Sequence, residues 1–410
     1  MSFLRRIFAK ISMDDSPSAD AFGRMRVSNS DTIFDSNFQY DLQPLIYEAK
    51  VANSATVTHT PAKSSATIAT AASVGSSAIL QTRQYHRYIS GKSQLLEMTQ
   101  VLGAAVSGIV RRAGLFDVDD GIFLEQNGVT DVAFTLRTST SGSPSDSNRV
   151  VQANWSEDTF DGSGNEGNPS GILLDLSKSQ ILCADLQWLG MGRVRVGFNI
   201  NGVWQEAHRF NNANNLSVPY MKTANLPVRW EAVGNGVSTM LATCAVVESE
   251  GGADRFSSYR FAYARPVVTA GSGSQTYAFS IRPKATFNSL TNRILLRPTA
   301  LDCLATGNNP VLVELYYGTA VGGSPSWTDM DASYSGLQVD IAGTPSGGLK
   351  VGQLWVPASA AAGAIEKALS LRYPLTLDIA GTAFTHFTVY VTGIGGTSAC
   401  YPGLHWEEVR

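Results

Sequence analysis

Along most of the chain, apolar residues alternate with polar ones in short runs that end at Gly, Pro, Asn, Asp or Ser. A two-residue period over such runs is the mark of half-buried β-strands, and regularly spaced turns between them point to sandwiches or barrels. The clearest case is Gly192–Ile200, where Arg193 and Arg195 alternate with Val194, Val196 and Phe198, followed by Val203–Phe210. Between the two lies Asn201-Gly202, a dipeptide that readily takes φ > 0 at both positions and so favours a two-residue type I′ turn. The pattern therefore predicts an antiparallel hairpin over Gly192–Phe210. Val228–Val233 and Val311–Tyr317 read as further strands, and strand should exceed helix several-fold. Ala-rich Ala358–Leu369 is the one helix candidate beyond the N-terminus. At the N-terminus, Phe3, Leu4, Ile7, Phe8 and Ile11 share one helical face with Arg5, Arg6 and Lys10 around them. That segment is too short and too charged to cross a membrane, and Ser12–Asp15 makes a poor signal-peptidase site; a terminal segment that docks as a helix on a neighbouring subunit or stays disordered is the expectation, a short amphipathic anchor the alternative.

Three regions follow from the spacing of these runs. Residues 1–47 show little periodicity and read as an extended arm. Residues 48–266 hold enough strands for a large β-sandwich, opening with a Ser/Thr/Ala-rich hairpin over Val51–Leu80 and interrupted by the Gly/Asp/Asn-rich loop Asp158–Gly171. Thr269–Gln275 has linker chemistry, and residues 277–410 carry a second, smaller set of strands. The expected fold is all-β: two consecutive jelly-roll-like β-sandwich domains behind an N-terminal arm. Trp188, Phe198 and Trp230 lie in apolar-alternating runs and are expected in the first core.

Composition changes this picture in one respect. Of 410 residues only 16% are charged, against about 25% in typical soluble domains. Interface cores are depleted in charge, so the bias suits a chain packed against copies of itself; a secreted β-protein shares it. The net charge of −3 argues against a nucleic-acid-binding face, which is usually basic. Cys183, Cys244, Cys303 and Cys400 are far apart, in no metal spacing, and read as buried free thiols.

Candidate chemistry is sparse. The chain has no G-x-S-x-G, H-E-x-x-H, C-x-x-C or phosphate-loop motif. Asp117-Val-Asp-Asp-Gly121 with Glu125 lacks the carboxylate spacing of a calcium loop and reads as a β-turn. Glu157, Asp158, Asp161 and Glu166 share one Gly-rich loop, where a catalytic pair held about 5–10 Å apart across a cleft is not expected. His59 and His386 alternate with Thr in strand-like runs and should be hydrogen-bonded structural histidines. The seven tryptophans are spread along the strands, most of them as core or interface anchors; a Trp or Tyr face exposed in a shallow groove, binding sugar, is the alternative. The sequence thus predicts no enzyme: no catalytic residue, no cofactor and no metal site.

Several phrases resemble a family of virion structural proteins of tailed phages, with related sequences in large DNA viruses. The opening Asp20-Ala-Phe-Gly-Arg-Met-Arg-Val-Ser-Asn29, then Thr32-Ile-Phe-Asp-Ser36, is similar to the family's D-A-F-G-R-x-R-V-S-N … T-x-F-D-S. In order follow Gly91-Lys-Ser-Gln94, Gly114-Leu-Phe-Asp117 with Asp120-Gly-Ile-Phe123, Val151-Gln152 with Trp155, Trp188 to Phe198, His208-Arg-Phe210, Pro219-Tyr-Met221 and Asn225 to Arg229. The likeness covers about residues 20–231 and is looser from Ser280-Ile-Arg-Pro283 to Leu404–Glu408. Ser30-Asp31 departs from the family's Asn-Pro at that point. The resemblance implies a virion location, a head-decorating, collar or tail-attached role, and partners that are other copies and other virion proteins. A receptor-binding module of a tail fibre, with a host-surface glycan as partner, is the alternative reading. Neither implies nucleic acid or a membrane span.

Overall fold

The structure is a computed structural model that describes residues 29–251, 258–358, 365–371, 373–382 and 384–410. Four large antiparallel sheets pair into two sandwiches, each around its own core. Apart from two short 3-10 turns, the described residues contain no helix.

Sheet I runs, in spatial order, Val203–Asn211, Arg193–Ile200, Gln180–Leu186, Ser93–Val101, Ser238–Glu250, Ser65–Thr70 and Thr56–Thr60, with Ser30–Asn37 also paired to Ser238–Glu250. Sheet II runs Ser145–Val151, Asp131–Thr138, Gly121–Asn127, Ile109–Phe116, Val228–Gly234, Ser76–Thr82 and Tyr47–Ala52. Their inner faces enclose Phe198, Trp230, Phe38, Tyr47, Phe134 and Trp155. The second sandwich joins sheet III (Ser258–Ala264, Ser398–Val409, Leu295–Ala305, Ile365–Ala368, with Val268–Ala270 beside Ser398–Val409) to sheet IV. Sheet IV runs Thr328–Asp329, Leu337–Asp340, Thr276–Pro283, Phe387–Gly393, Val311–Tyr317 and Leu349–Val356. Trp406, Phe279 and Phe387 centre its core.

The predicted hairpin is present: Ile200 pairs with Val203 across Asn201 (φ 55°) and Gly202 (φ 81°). Its register slips after Val196, where Gly197 lies so close to the facing strand that a Cβ would come 2.1 Å from the Gln205 carbonyl oxygen. Only glycine fits there, because a bulge needs close backbone approach.

Several expectations shift. Residues 30–47 are not a separate arm. Ser30–Asn37 is a strand of sheet I, and Phe38 and Tyr47 are buried in the first core; residues 1–28 lie outside the described residues. Val51–Leu80 is not one hairpin, because its four strands divide between the two sheets. Ser258–Ala264 pairs with the last strand, so the chain enters the second sandwich between residues 251 and 258, ahead of the expected 266–276 boundary. The expected linker begins inside a strand, Val268–Ala270. Within the helix candidate, Ile365–Ala368 is a strand pairing Cys303–Ala300; residues 359–364 lie outside the described residues. Phe198 and Trp230 are core as expected, whereas Trp188 is half-buried in the turn before Arg193, edge-on to Tyr88, with its indole donating to the Met221 carbonyl (3.3 Å).

Candidate functional site

The phrases of the resemblance, far apart in sequence, converge in space. Ser30 and Ser93 both pair with Glu250; Leu186 pairs with Gln94 and Val194, and Arg193 with Asn211. In sheet II, Val228 faces Leu115 and Phe116 faces Gly121. All are strand ends at the same end of the first sandwich. The connecting loops are tied together there: the Lys222 amide donates to Asp120 Oδ1 (2.9 Å), the Tyr220 amide to the Gly190 carbonyl (2.9 Å), and the Tyr88 amide to Asn225 Oδ1 (2.9 Å). Val151 pairs with Ala133, away from this end, and Trp155 is buried in the core against Phe134 and Phe198; Asp20–Ser28 lie outside the described residues.

This same end faces the second sandwich. Arg87 Nε donates to the Arg410 carbonyl (3.1 Å), the Ile379 amide to Glu48 Oε2 (3.1 Å), and the Arg293 guanidinium lies 4.7 Å from the Tyr85 ring centre. Two clefts open along the junction. One, of about 450 Å³, carries Arg87, Arg260 and Arg297 opposite Asp31 and Glu407. The other, of about 560 Å³, lies between Lys50, Tyr85, Asp119, Lys222 and Arg293. His86 sits fully buried beneath this junction, against the Phe34 ring (4.5 Å). Burial, aided by the positive charge of Arg297, pushes its pKa down to about 3, so it is neutral.

The acidic candidates prove to be turn builders. Asp117 Oδ1 accepts the Asp119 and Asp120 amides, and Asp120 accepts from Ser139 and Lys222. Asp158 is buried and clasps its own loop by accepting the Phe160 and Ser170 amides and the Asn168 side chain; Glu157 pairs with Arg209 (3.1 Å), and Asp161 accepts the Ser163 amide. His59 and His386 bond to the carbonyls of Phe38 (2.8 Å) and Thr319 (3.0 Å). The cysteines are free; Cys183, Cys303 and Cys400 are buried and Cys244 half-buried. Among the described residues no group of three or more His, Cys, Asp or Glu is placed to hold a metal ion, and no helix is long and apolar enough to cross a membrane.

Sequence reasoning missed two side-chain surfaces, both on outward faces of sheets. On sheet II, Arg112 bridges Glu125 (2.7 Å) and Glu231 (2.7 Å); Arg229 pairs with Glu231 and Gln81, and Arg149 with Glu125 (2.9 Å). Burial alone would lower the Arg112 pKa, but the two carboxylates outweigh it and hold it above its usual value. Glu231, which burial would raise, is held below its usual range by Arg229 and Arg112. Guanidinium planes cover two rings, Arg229 over Phe116 (5.1 Å) and Arg137 over Phe123 (5.1 Å). Gly114 makes room for this layer, since a Cβ there would stand 2.9 Å from Phe123 Cβ.

On sheet IV the outward face is aromatic. Trp355, 57% exposed on the edge strand, faces Leu312; Glu314 lies between Gln353 and Tyr390, and Tyr316 between Lys350 and Thr388. Tyr390 packs edge-on to Tyr316 (5.3 Å) and Tyr277 (6.3 Å).

No protein-family model and no curated protein matches the chain. Among solved structures, one of the endo-acting O-glycanases that human gut microbiota express to initiate mucin breakdown is 14% identical, with a TM-score of 0.38 over 53% of this chain and 99% of that one. A carbohydrate esterase from the Shiga toxin-encoding bacteriophage phi24B is 10% identical (TM-score 0.32; 54% of this chain, 100% of that one). A legume lectin-like domain from Entamoeba histolytica is 10% identical (TM-score 0.31; 54% and 98%). At such distance these likenesses carry no argument about function.

Proposed function

We propose that the chain is a non-enzymatic structural component of a tailed-phage-type virion, assembling with copies of itself and with other virion proteins. The observation that supports this most is the convergence of the resembling phrases on one end of the first sandwich. Shared phrases scattered through strands would speak only for a shared core. Gathered in strand ends and connecting loops at one end, beside the junction with the second sandwich, they mark a region whose geometry is specified, as the residues around an assembly contact would be. The low charge of the chain fits the same reading.

The test is particle incorporation of the full chain and of a chain beginning at Asn29, alongside light scattering of each. Cutting there keeps Phe34, Phe38 and Tyr47, whereas a cut at residue 47 would strip the first core. The proposal expects the full chain in purified particles and as a discrete oligomer in solution. A monomer that never enters particles would overturn it.

The second reading, an adhesin module of a tail fibre, is favoured by one specific observation: the exposed Trp355 on the aromatic face of sheet IV.

A further inference from the structure

We propose that the outward face of sheet IV is a binding site for a neutral oligosaccharide, stacked on Trp355 and hydrogen-bonded through Gln275 and Lys350, which Glu314 holds in place. This rests on the adhesin reading and names its site and ligand class.

The strand register puts the parts on one face. Residues paired across an antiparallel sheet share a face, and diagonal neighbours stand about 7–8 Å apart. Trp355 pairs with Leu312, and Glu314 pairs with Gln353 on one side and Tyr390 on the other. Hence Trp355 and Tyr390 flank the Glu314 carboxylate from different strands. An indole more than half exposed offers a wide, flat apolar surface that a partner can cover.

The polar groups between the rings are fixed beforehand. Glu314 is only 5% exposed. Its Oε1 accepts Lys350 Nζ (2.8 Å) and its Oε2 accepts Gln275 Nε2 (2.8 Å), which also reaches the Tyr316 hydroxyl (3.0 Å). These bonds position the exposed Lys350 and Gln275 side chains on the same face as the indole, so Glu314 acts through them. Rigid, oriented groups lower the ordering cost of binding.

A sugar ring matches this alternation better than a peptide or a nucleotide. It presents an apolar face of C–H groups for a ring to cover and a rim of hydroxyls that donate and accept. One hexose spans roughly one interstrand spacing of about 4.8 Å, so adjacent sugars meet adjacent strands. The charge selects further: Glu314 and Lys350 cancel, leaving no surplus cation for an acidic sugar.

The test is isothermal titration of the full chain with cellotetraose, maltotetraose and chitotetraose, and with a heparin tetrasaccharide as acidic control. At least one neutral probe should bind. Trp355→Ala should weaken that binding at least tenfold, and Glu314→Gln several-fold, with the unfolding midpoint of Trp355→Ala unchanged. Sugar binding undiminished in Trp355→Ala overturns this site while leaving the adhesin reading intact; no binding of any neutral probe overturns both. Preference for the heparin fragment, or an oligomer that Trp355→Ala dissociates, also overturns it, the latter because the face would then lie between copies.

Discussion

The outward faces of sheets II and IV are built on the same backbone geometry and differ in how their polar groups are spent. On sheet II, positive and negative side chains alternate from Arg229 through Glu231, Arg112 and Glu125 to Arg149, and the guanidiniums lie over Phe116 and Phe123. Every carboxylate of that row is shared between two arginines, and Phe116 and Phe123 are buried. On sheet IV Asp340 accepts the Tyr277 hydroxyl and Arg282 lies over Trp327, but Glu314 is held by one lysine and one glutamine, and the Trp355 ring stands open. The first arrangement is closed upon itself and contributes to the fold; the second keeps an apolar surface and oriented polar groups for something outside the chain. The sandwich that carries the family-like phrases thus has the closed face, and the sandwich where the likeness loosens has the open one.

Removing the hub of the closed face gives the largest expected effect. Arg112→Leu would leave Glu125 and Glu231 buried with one arginine each; breaking a buried pair by deleting one partner costs about 3–5 kcal/mol. Urea unfolding measures it. The same measurement on Trp230→Ala, whose ring is wholly buried, should show a loss of about 3–5 kcal/mol. If Arg112→Leu unfolds at the wild-type midpoint, the row on sheet II is surface decoration and the contrast between the faces collapses.

A second expected effect lies at the junction of the sandwiches and depends on pH. His86 is neutral when buried, with its pKa pushed down to about 3, while in the unfolded chain it protonates near the usual histidine value of about 6.5. The unfolded state therefore binds the extra proton between these values, so stability is full above about pH 6.5 and falls as pH drops toward 3. Between pH 7 and 4 this single group accounts for about 3 kcal/mol. A His86→Gln variant should lose that part of the pH slope. An unchanged slope would place the acid sensitivity elsewhere, among the carboxylates of sheet II first.

Much of the architecture is legible in the sequence where local chemistry decides it. Asn201-Gly202 fixes a turn, and Trp230 and Phe198 alternate with polar neighbours, so hairpin and core positions can be read directly. The strand Ser30–Asn37 escapes because its register shifts between Thr32 and Phe34, which breaks the two-residue period and makes a strand look like an arm. Ile365–Ala368 escapes for another reason: alanine favours helix, and pairing with Ala300–Cys303 overrides that preference. The junction and both sheet faces depend on pairings between distant segments. Trp355, Glu314 and Tyr390 are unremarkable runs in one dimension, and only the order of strands in sheet IV makes them neighbours.

The smallest expected effect on stability separates the open face from the closed one most directly. Trp355 makes no ring contact with another aromatic side chain among the described residues and is 57% exposed, so Trp355→Ala removes little that the folded state has withdrawn from water. Substitutions of exposed side chains away from caps and ion pairs stay within about 0.5 kcal/mol. The urea midpoint of Trp355→Ala should therefore coincide with that of the wild type, while Arg112→Leu shifts by several kcal/mol in the same assay. A tryptophan whose removal leaves the fold unchanged is free to serve a contact with another molecule. If Trp355→Ala instead unfolds as early as Trp230→Ala, the indole is part of the second core's support, and the open face of sheet IV is as structural as the closed face of sheet II.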